Sequence, residues 1–254
     1  MLSAAAMRWI RGSLGDPGPD FPHFGMGRRL LYIRRDLAAH APAIFAALDD
    51  LRPPPAIGKG NRSSGFVIHP NGAPELFVRY GRRGGMARYV LDDVYFGHVA
   101  RPVRELTVTA EARMRGIAVP EPLGAMVESI APGLYRGAYM TRPMSGFTLW
   151  EFIRADDDSR VRKHVAMQAR RAIDVMHRMG LFHADLNLHN LFVLTSSDDL
   201  PVSIIDLDKA RLFPEPVTAA RRRANFARLE RSIRKLDPSA ARIDSELRAI
   251  LTGS

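Results

Sequence analysis

His183-Ala184-Asp185-Leu186-Asn187-Leu188-His189-Asn190, followed further on by Ile204-Ile205-Asp206-Leu207-Asp208, is the stretch from which the rest of the chain can be read. It supplies an aspartate, a side-chain amide and a second carboxylate. Phosphoryl transfer needs those groups: a carboxylate beside the acceptor hydroxyl, and an amide oxygen plus a carboxylate to hold Mg²⁺ against the phosphates. Asp185, Asn190 and Asp206 fill these places. The short step from Asp185 to Asn190 is a tight loop. The apolar runs 191–194 and 202–207, split by Ser196-Ser197-Asp198-Asp199-Leu200-Pro201, predict a hairpin that brings Asp206 back to the same metal. Asp206 also closes an apolar run, where an acid calls for a partner such as a cation.

Working outward, the pattern after Pro143 is helical: 149–153, then 161–179 with Val165, Ile173, Val175, Met176 and Met179 as core candidates, capped by Gly180. The tail from 218 is helical and basic. Before Pro143 short β-like runs dominate: 65–69 and 76–80, joined through Pro70-Asn71-Gly72 as an antiparallel hairpin, and 135–140. Residues 101–116 predict a helix with Val103, Leu106 and Ala110 inward, and 38–51 another, carrying Ile44, Phe45, Leu48 and Leu51. Gly15, Pro17, Gly18, Pro19, Pro22 and Gly25 crowd the segment 12–27. The expected fold is α+β and two-lobed: an irregular arm over 1–27, a β-rich N-terminal lobe with a nucleotide-covering loop over 28–143, and a mainly helical C-terminal lobe over 144–254 that ends in a basic helix. No internal repeat is present.

Composition narrows the class. The 254 residues can bury a real core, and 46% hydrophobic with 25% charged residues describes an ordinary globular chain. Cysteine is absent, which excludes disulfides, thiolate zinc sites and a cysteine nucleophile. A formal net charge of +10 favours an anionic partner. No window reaches the roughly 18 consecutive apolar residues of a membrane span. Arg8 interrupts the apolar start, which lacks a preceding basic run, so no secretory signal is expected. The expected address is the cytoplasm.

The motif His183-x-Asp185-x4-Asn190 with an Ile205-Asp206 strand end resembles the catalytic and metal-binding loops of the protein-kinase-like superfamily. The fuller wording, His-Ala-Asp-Leu-Asn with His189-Asn190 and then Ile-Asp-Leu-Asp-Lys-Ala-Arg, resembles the lipopolysaccharide kinase family, above all its members that act on 3-deoxy-D-manno-octulosonic acid (Kdo). The likeness extends to Val78-Arg79-Tyr80-Gly81-Arg82-Arg83-Gly84-Gly85, to Arg104-Glu105, to Gly116-Ile117-Ala118-Val119-Pro120-Glu121-Pro122 and to Asn225-Phe226-Ala227-Arg228-Leu229.

That resemblance implies a two-lobed kinase fold passing the γ-phosphate of ATP, with Mg²⁺, to a sugar hydroxyl, Kdo being favoured, of a lipid A precursor. Asp185 would orient or deprotonate the hydroxyl, Asn190 and Asp206 would ligate the metal, and His183 would brace the loop. Asn187 would lie near the γ-phosphate with its role open, and Asp208 would be a supporting acid. Gly58-Lys59-Gly60-Asn61-Arg62-Ser63-Ser64-Gly65 stands where a glycine-rich loop covers phosphates, with Gly58, Gly60, Ser63 and Gly65 as nucleotide contacts. Arg79 stands where the superfamily carries a strand lysine and Glu105 where it carries that lysine's helix partner. Met140 and Arg142 would border the adenine. Arginine for lysine is a departure, because a guanidinium is larger and forked.

Other readings stand beside this one. The Asp, Asn and Asp pattern is shared with kinases of soluble small molecules such as aminoglycosides and choline, and Arg79 leaves room for a degenerate kinase fold that only binds glycolipid. Zinc ligation by His183, Asp185 and His189 fits no compact zinc spacing. The tail arginines Arg221, Arg222, Arg223, Arg228, Arg231 and Arg234 with Lys235 flank an apolar stripe of Phe226, Leu229, Ile233 and Leu236, and are expected to face an anionic membrane surface. Nucleic acid is not expected as a partner, for no recognition-helix or stacked-aromatic motif occurs. The protein is expected to be a monomer, peripheral on the inner face of a bacterial inner membrane.

Overall fold

The computed structural model describes residues 17–49, 65–80, 95–96, 100–131 and 133–253. The chain divides into two compact units, Met1–Ala110 with Glu121–Pro143 and Glu111–Pro120 with Met144–Ser254. Residues 58, 60 and 63, like Arg82, Arg83 and Arg88, lie outside the described residues.

The first unit is built on an antiparallel sheet. Its strands are β1 (His23–Met26), β2 (Arg29–Ile33), β3 (Gly65–Ile68), β4 (Leu76–Tyr80), β5 (Tyr95–Phe96), β6 (Pro122–Ala131) and β7 (Leu134–Thr141). They run in the order β1-β2-β6-β7-β4-β3, with β5 also on β7. Helix α1 (Ala41–Ala47) covers one face and helix α2 (Arg101–Met114) the other. The alternation of side chains explains this: Leu31, Ile33, Leu76, Val78, Tyr80 and Met140 pack with Ile44 and Phe45, whereas Leu30, Tyr32, Ala125, Tyr135 and Tyr139 pack with Val103 and Leu106. The expected hairpin of 65–69 and 76–80 forms, with Gly65 opposite Arg79.

One expectation is corrected. The arm 1–27 is not irregular throughout, because His23–Met26 pairs with β2, and Gly27, at φ +59°, makes the tight turn that this hairpin needs. Strand β6, the ten-residue partner of both β2 and β7, had no counterpart in the sequence reading.

The second unit holds β8 (Gly146–Thr148), α3 (Leu149–Ala155), α4 (Ser159–Arg178), β9 (Leu181–Phe182), β10 (Leu191–Leu194), β11 (Val202–Ile204), β12 (Arg211–Leu212), α5 (Ala219–Leu236) and α6 (Ser245–Thr252). Thr148 and Glu151 form a reciprocal capping box at the start of α3. Val165, Ile173 and Met176 are fully buried as expected, but Val175 is half-buried, and Met179 is exposed because α4 ends at Arg178 and the chain turns away. Gly180 makes that turn at φ +81°, where a Cβ would run into the Phe213 carbonyl.

Candidate active site

Two antiparallel pairs bring the motif residues together. Phe182 on β9 pairs with Arg211 on β12, and Leu191 on β10 pairs with Ile204 on β11. The loops 183–190 and 205–210 therefore leave side by side between the two pairs. The backbone N–H of Ile205 donates to the Asn190 carbonyl at 3.0 Å and continues the ladder by one residue. Leu186 and Leu188 point into the core and pin the loop, leaving Asp185 exposed just before them.

His183 is the hub. Its Nδ1 accepts the Asp185 backbone N–H at 3.1 Å, so its Nε2 must carry the proton and donate to the Ile205 carbonyl at 3.0 Å. Burial holds its pKa below the ordinary imidazole range, although the carboxylates of Asp206, Asp185 and Asp208 all pull it upward. The ring ties the loop before Asp185 to the strand end before Asp206.

The amides of Asn187 and Asn190 both donate from Nδ2 to the Asp185 carbonyl at 2.8 Å. Asn187 Oδ1 accepts the His189 N–H at 2.9 Å and so caps the 3-10 turn Leu188–Asn190. Once Nδ2 is committed, Asn190 is left with Oδ1, which has no hydrogen bond among the described residues. The Asp185 carboxylate likewise forms none among them. Asp206 holds φ +65°, a left-handed conformation that Asp tolerates better than most residues and that occurs where a site fixes it. No group of three His, Asp or Glu side chains suited to a metal occurs among the described residues. A Mg²⁺ ion bound through one carboxylate, one amide oxygen and substrate phosphates needs no such group. Asn190 Oδ1 and Asp206 fit that requirement.

In the first unit Arg79 points to the α2 side, directly opposite Tyr139 on β7, and forms an ion pair with buried Glu105. Burial raises the Tyr139 hydroxyl pKa, so the phenol stays neutral beside the pair. Met140 is a fully buried core residue with Val78 on one side and Gly124 on the other. Its side chain is therefore not a free edge. Arg142 is committed as a fork to Glu121, Nε to Oε2 at 2.7 Å and Nη2 to Oε1 at 3.2 Å. Arg34 binds the same carboxylate, and together the guanidiniums draw the Glu121 pKa down to about 2. Gly65 opens β3, where a Cβ would enter the Phe77 ring.

Several arginines of the basic helix have partners within the chain. Arg228 lies half-buried over the Phe182 ring at 5.7 Å, Arg221 over Phe213 at 4.1 Å, and Arg234 pairs with Glu230 at 2.9 Å. Arg222, Arg223, Arg231 and Lys235 are exposed without ion pairs among the described residues.

The profile of the Lipopolysaccharide kinase (Kdo/WaaP) family matches residues 59–248. The chain belongs to this family. A 3-deoxy-D-manno-octulosonic acid kinase of Xylella fastidiosa (strain 9a5c) is 33% identical over 186 residues, 71% of this chain and 70% of the relative. One from Xanthomonas campestris pv. campestris (strain B100) is 34% identical over 208 residues, 77% and 75% of the two chains. A solved structure, WaaP in complex with acyl carrier protein, shares the fold at TM-score 0.50 and 15% identity, covering 77% of this chain and 75% of that one. The chain is thus a lipopolysaccharide sugar kinase, an enzyme that phosphorylates a sugar hydroxyl. Membership implies a nucleotide donor and usually a divalent cation. No role was expected of His177, Asn225 or Ser232, although Asn225 begins one of the segments that carry the likeness. For Asn225 a signal was present, since Asn225, Leu229 and Ile233 recur at the spacing of one helix face.

Proposed function

We propose that this kinase moves the γ-phosphate of ATP, with Mg²⁺, to a hydroxyl of Kdo on a lipid A precursor, working as a peripheral protein at the cytoplasmic face of the inner membrane. The observation that carries the chemistry is the double tether on the Asp185 carbonyl. Asn187 and Asn190 hold the backbone while the carboxylate stays exposed. Asp185 then orients the acceptor hydroxyl and takes its proton. Asn190 Oδ1 and Asp206 would hold the cation, which neutralises charge on the phosphates when bound. Arg79, kept in place by Glu105, acts on the nucleotide phosphates as a forked donor rather than a point charge. The Kdo acceptor is supported by the names of the relatives. The membrane address is supported by the exposed Arg222, Arg223, Arg231 and Lys235 and the +10 charge.

Transfer of ³²P from ATP to Kdo-lipid A, set against a panel of aminoglycosides and proteins, tests the reading. Label in the glycolipid alone is the expected result. Label in an aminoglycoside with none in the glycolipid overturns it.

A further inference from the structure

Helix α5, expected to pack one apolar side and turn its arginines to an anionic surface, also carries the motif loop on one of its faces. Asn225, Arg228 and Ser232 lie on that face, seven residues or about 10 Å end to end. Ser232 Oγ accepts the Leu188 N–H at 3.2 Å, Arg228 stacks over Phe182, and Asn225 Nδ2 donates to the His183 carbonyl at 2.5 Å. Residues 182, 183 and 188, which bracket Asp185, are thus each held by α5.

Of the three, Asn225 is the most constrained. It is fully buried, in a helix otherwise rich in arginine. With Nδ2 spent on His183, its Oδ1 faces His177 Nε2 at 3.0 Å, so Nε2 donates; the buried Nδ1 has no partner among the described residues, and burial lowers the pKa of the ring and favours its neutral form. His177 is held in turn by the edge-on Phe226 ring at 5.5 Å, and its carbonyl accepts the N–H groups of Gly180 and Val217. A donor and an acceptor on one short side chain are what this position needs. Aspartate would set two acceptors against each other at the His183 carbonyl, and an apolar residue would orphan buried groups at both ends.

We propose that Asn225 is a positioning residue for phosphoryl transfer: its amide, oriented by His177, holds the His183 carbonyl and thereby sets where the Asp185 carboxylate points. The link is short. The ring of His183 carries the Asp185 N–H on one side and the Ile205 carbonyl, next to Asp206, on the other. A shift at residue 183 displaces the acceptor-side carboxylate, and misplacement by about 1 Å costs on the order of 100-fold in rate. The proposal rests on the acceptor-side role of Asp185.

The test compares wild type, Asn225→Asp, His177→Gln, His177→Leu and Asp185→Asn for kcat, acceptor KM and nucleotide Kd, with a thermal melt to establish the folded fraction. Asn225→Asp keeps an acceptor for His177 and removes the donor. It should lower kcat per folded protein by about 10- to 100-fold with nucleotide Kd nearly unchanged. His177→Gln, which restores an N–H toward Oδ1, should retain kcat within a few-fold, whereas His177→Leu should behave like Asn225→Asp. Wild-type kcat per folded molecule in Asn225→Asp overturns the proposal. If that variant does not fold, equal kcat in the two His177 variants overturns it. An active Asp185→Asn overturns both this proposal and the role given to Asp185, while a dead Asp185→Asn beside a fully active Asn225→Asp overturns this one alone.

Discussion

Replacing Glu105 by Gln removes one charge of the ion pair in the first unit and leaves the shape nearly unchanged. Glu105 is 4% exposed, and the side chains of Arg79 and Glu105 retain 19% and 6% of their surface. Breaking a buried pair from one side costs about 3–5 kcal/mol, because the remaining charge stays poorly solvated. Water reaches part of Arg79, which places the cost near the lower end, about 3 kcal/mol. At about 2–4 °C per kcal/mol for a chain of this size, the melting midpoint should fall by about 6–12 °C. The freed guanidinium should also lose its aim, raising nucleotide Kd while kcat at saturation changes little. Melts and nucleotide titrations of wild type, Glu105→Gln, Arg79→Gln and the double variant form a cycle that isolates the pair. A Glu105→Gln protein that melts within about 1 °C of wild type and binds nucleotide equally would refute the assignment of this pair to the nucleotide.

Asp206→Ala should weaken Mg²⁺-dependent nucleotide binding together with turnover, and calorimetric titration with and without Mg²⁺ should show the metal dependence flatten; an unchanged dependence contradicts the ligand role. Burial depresses the pKa of both His177 and His183 below the ordinary 6.5. The unfolded chain therefore binds protons that the folded one rejects, and stability present above about pH 6.5 should be lost as pH falls toward the folded values. Thermal melts from pH 7.5 to 5 should show that slope reduced in His177→Gln, and an identical slope would assign the loss to other groups. Replacing Arg223, Arg231 and Lys235 by Gln should weaken binding to anionic vesicles by roughly two orders of magnitude at low salt, about 1 kcal/mol per charge, while transfer to a delipidated acceptor persists. Equal sedimentation with vesicles would make these charges a solvated face.

Local chemistry made the motif loops legible in the sequence. Asp185, Asn190 and Asp206 needed only the tight turn and the hairpin, and the ladder from Leu191 opposite Ile204 supplies both. Strand β6 was hidden because it is central and buried on both faces, so Pro122–Ala131 shows no alternation to betray a strand. Its Gly124 looks like a breaker, but a Cβ there would strike the Tyr32 carbonyl. The register opposite Tyr139 sends Arg79 to the α2 face, and no local pattern could report that. The role of Asn225, as distinct from its place in a segment of likeness, escaped for a related reason. Its value lies in partners 48 and 42 positions away, His177 and His183, and a lone amide among arginines reads as surface.

The central claim is that Asp185 serves the acceptor hydroxyl and not the nucleotide. Turnover and nucleotide dissociation constants of Asp185→Asn, measured beside wild type with Kdo-lipid A as acceptor, address it directly. The account predicts loss of transfer with nucleotide affinity nearly intact. Turnover within about tenfold of wild type would contradict it.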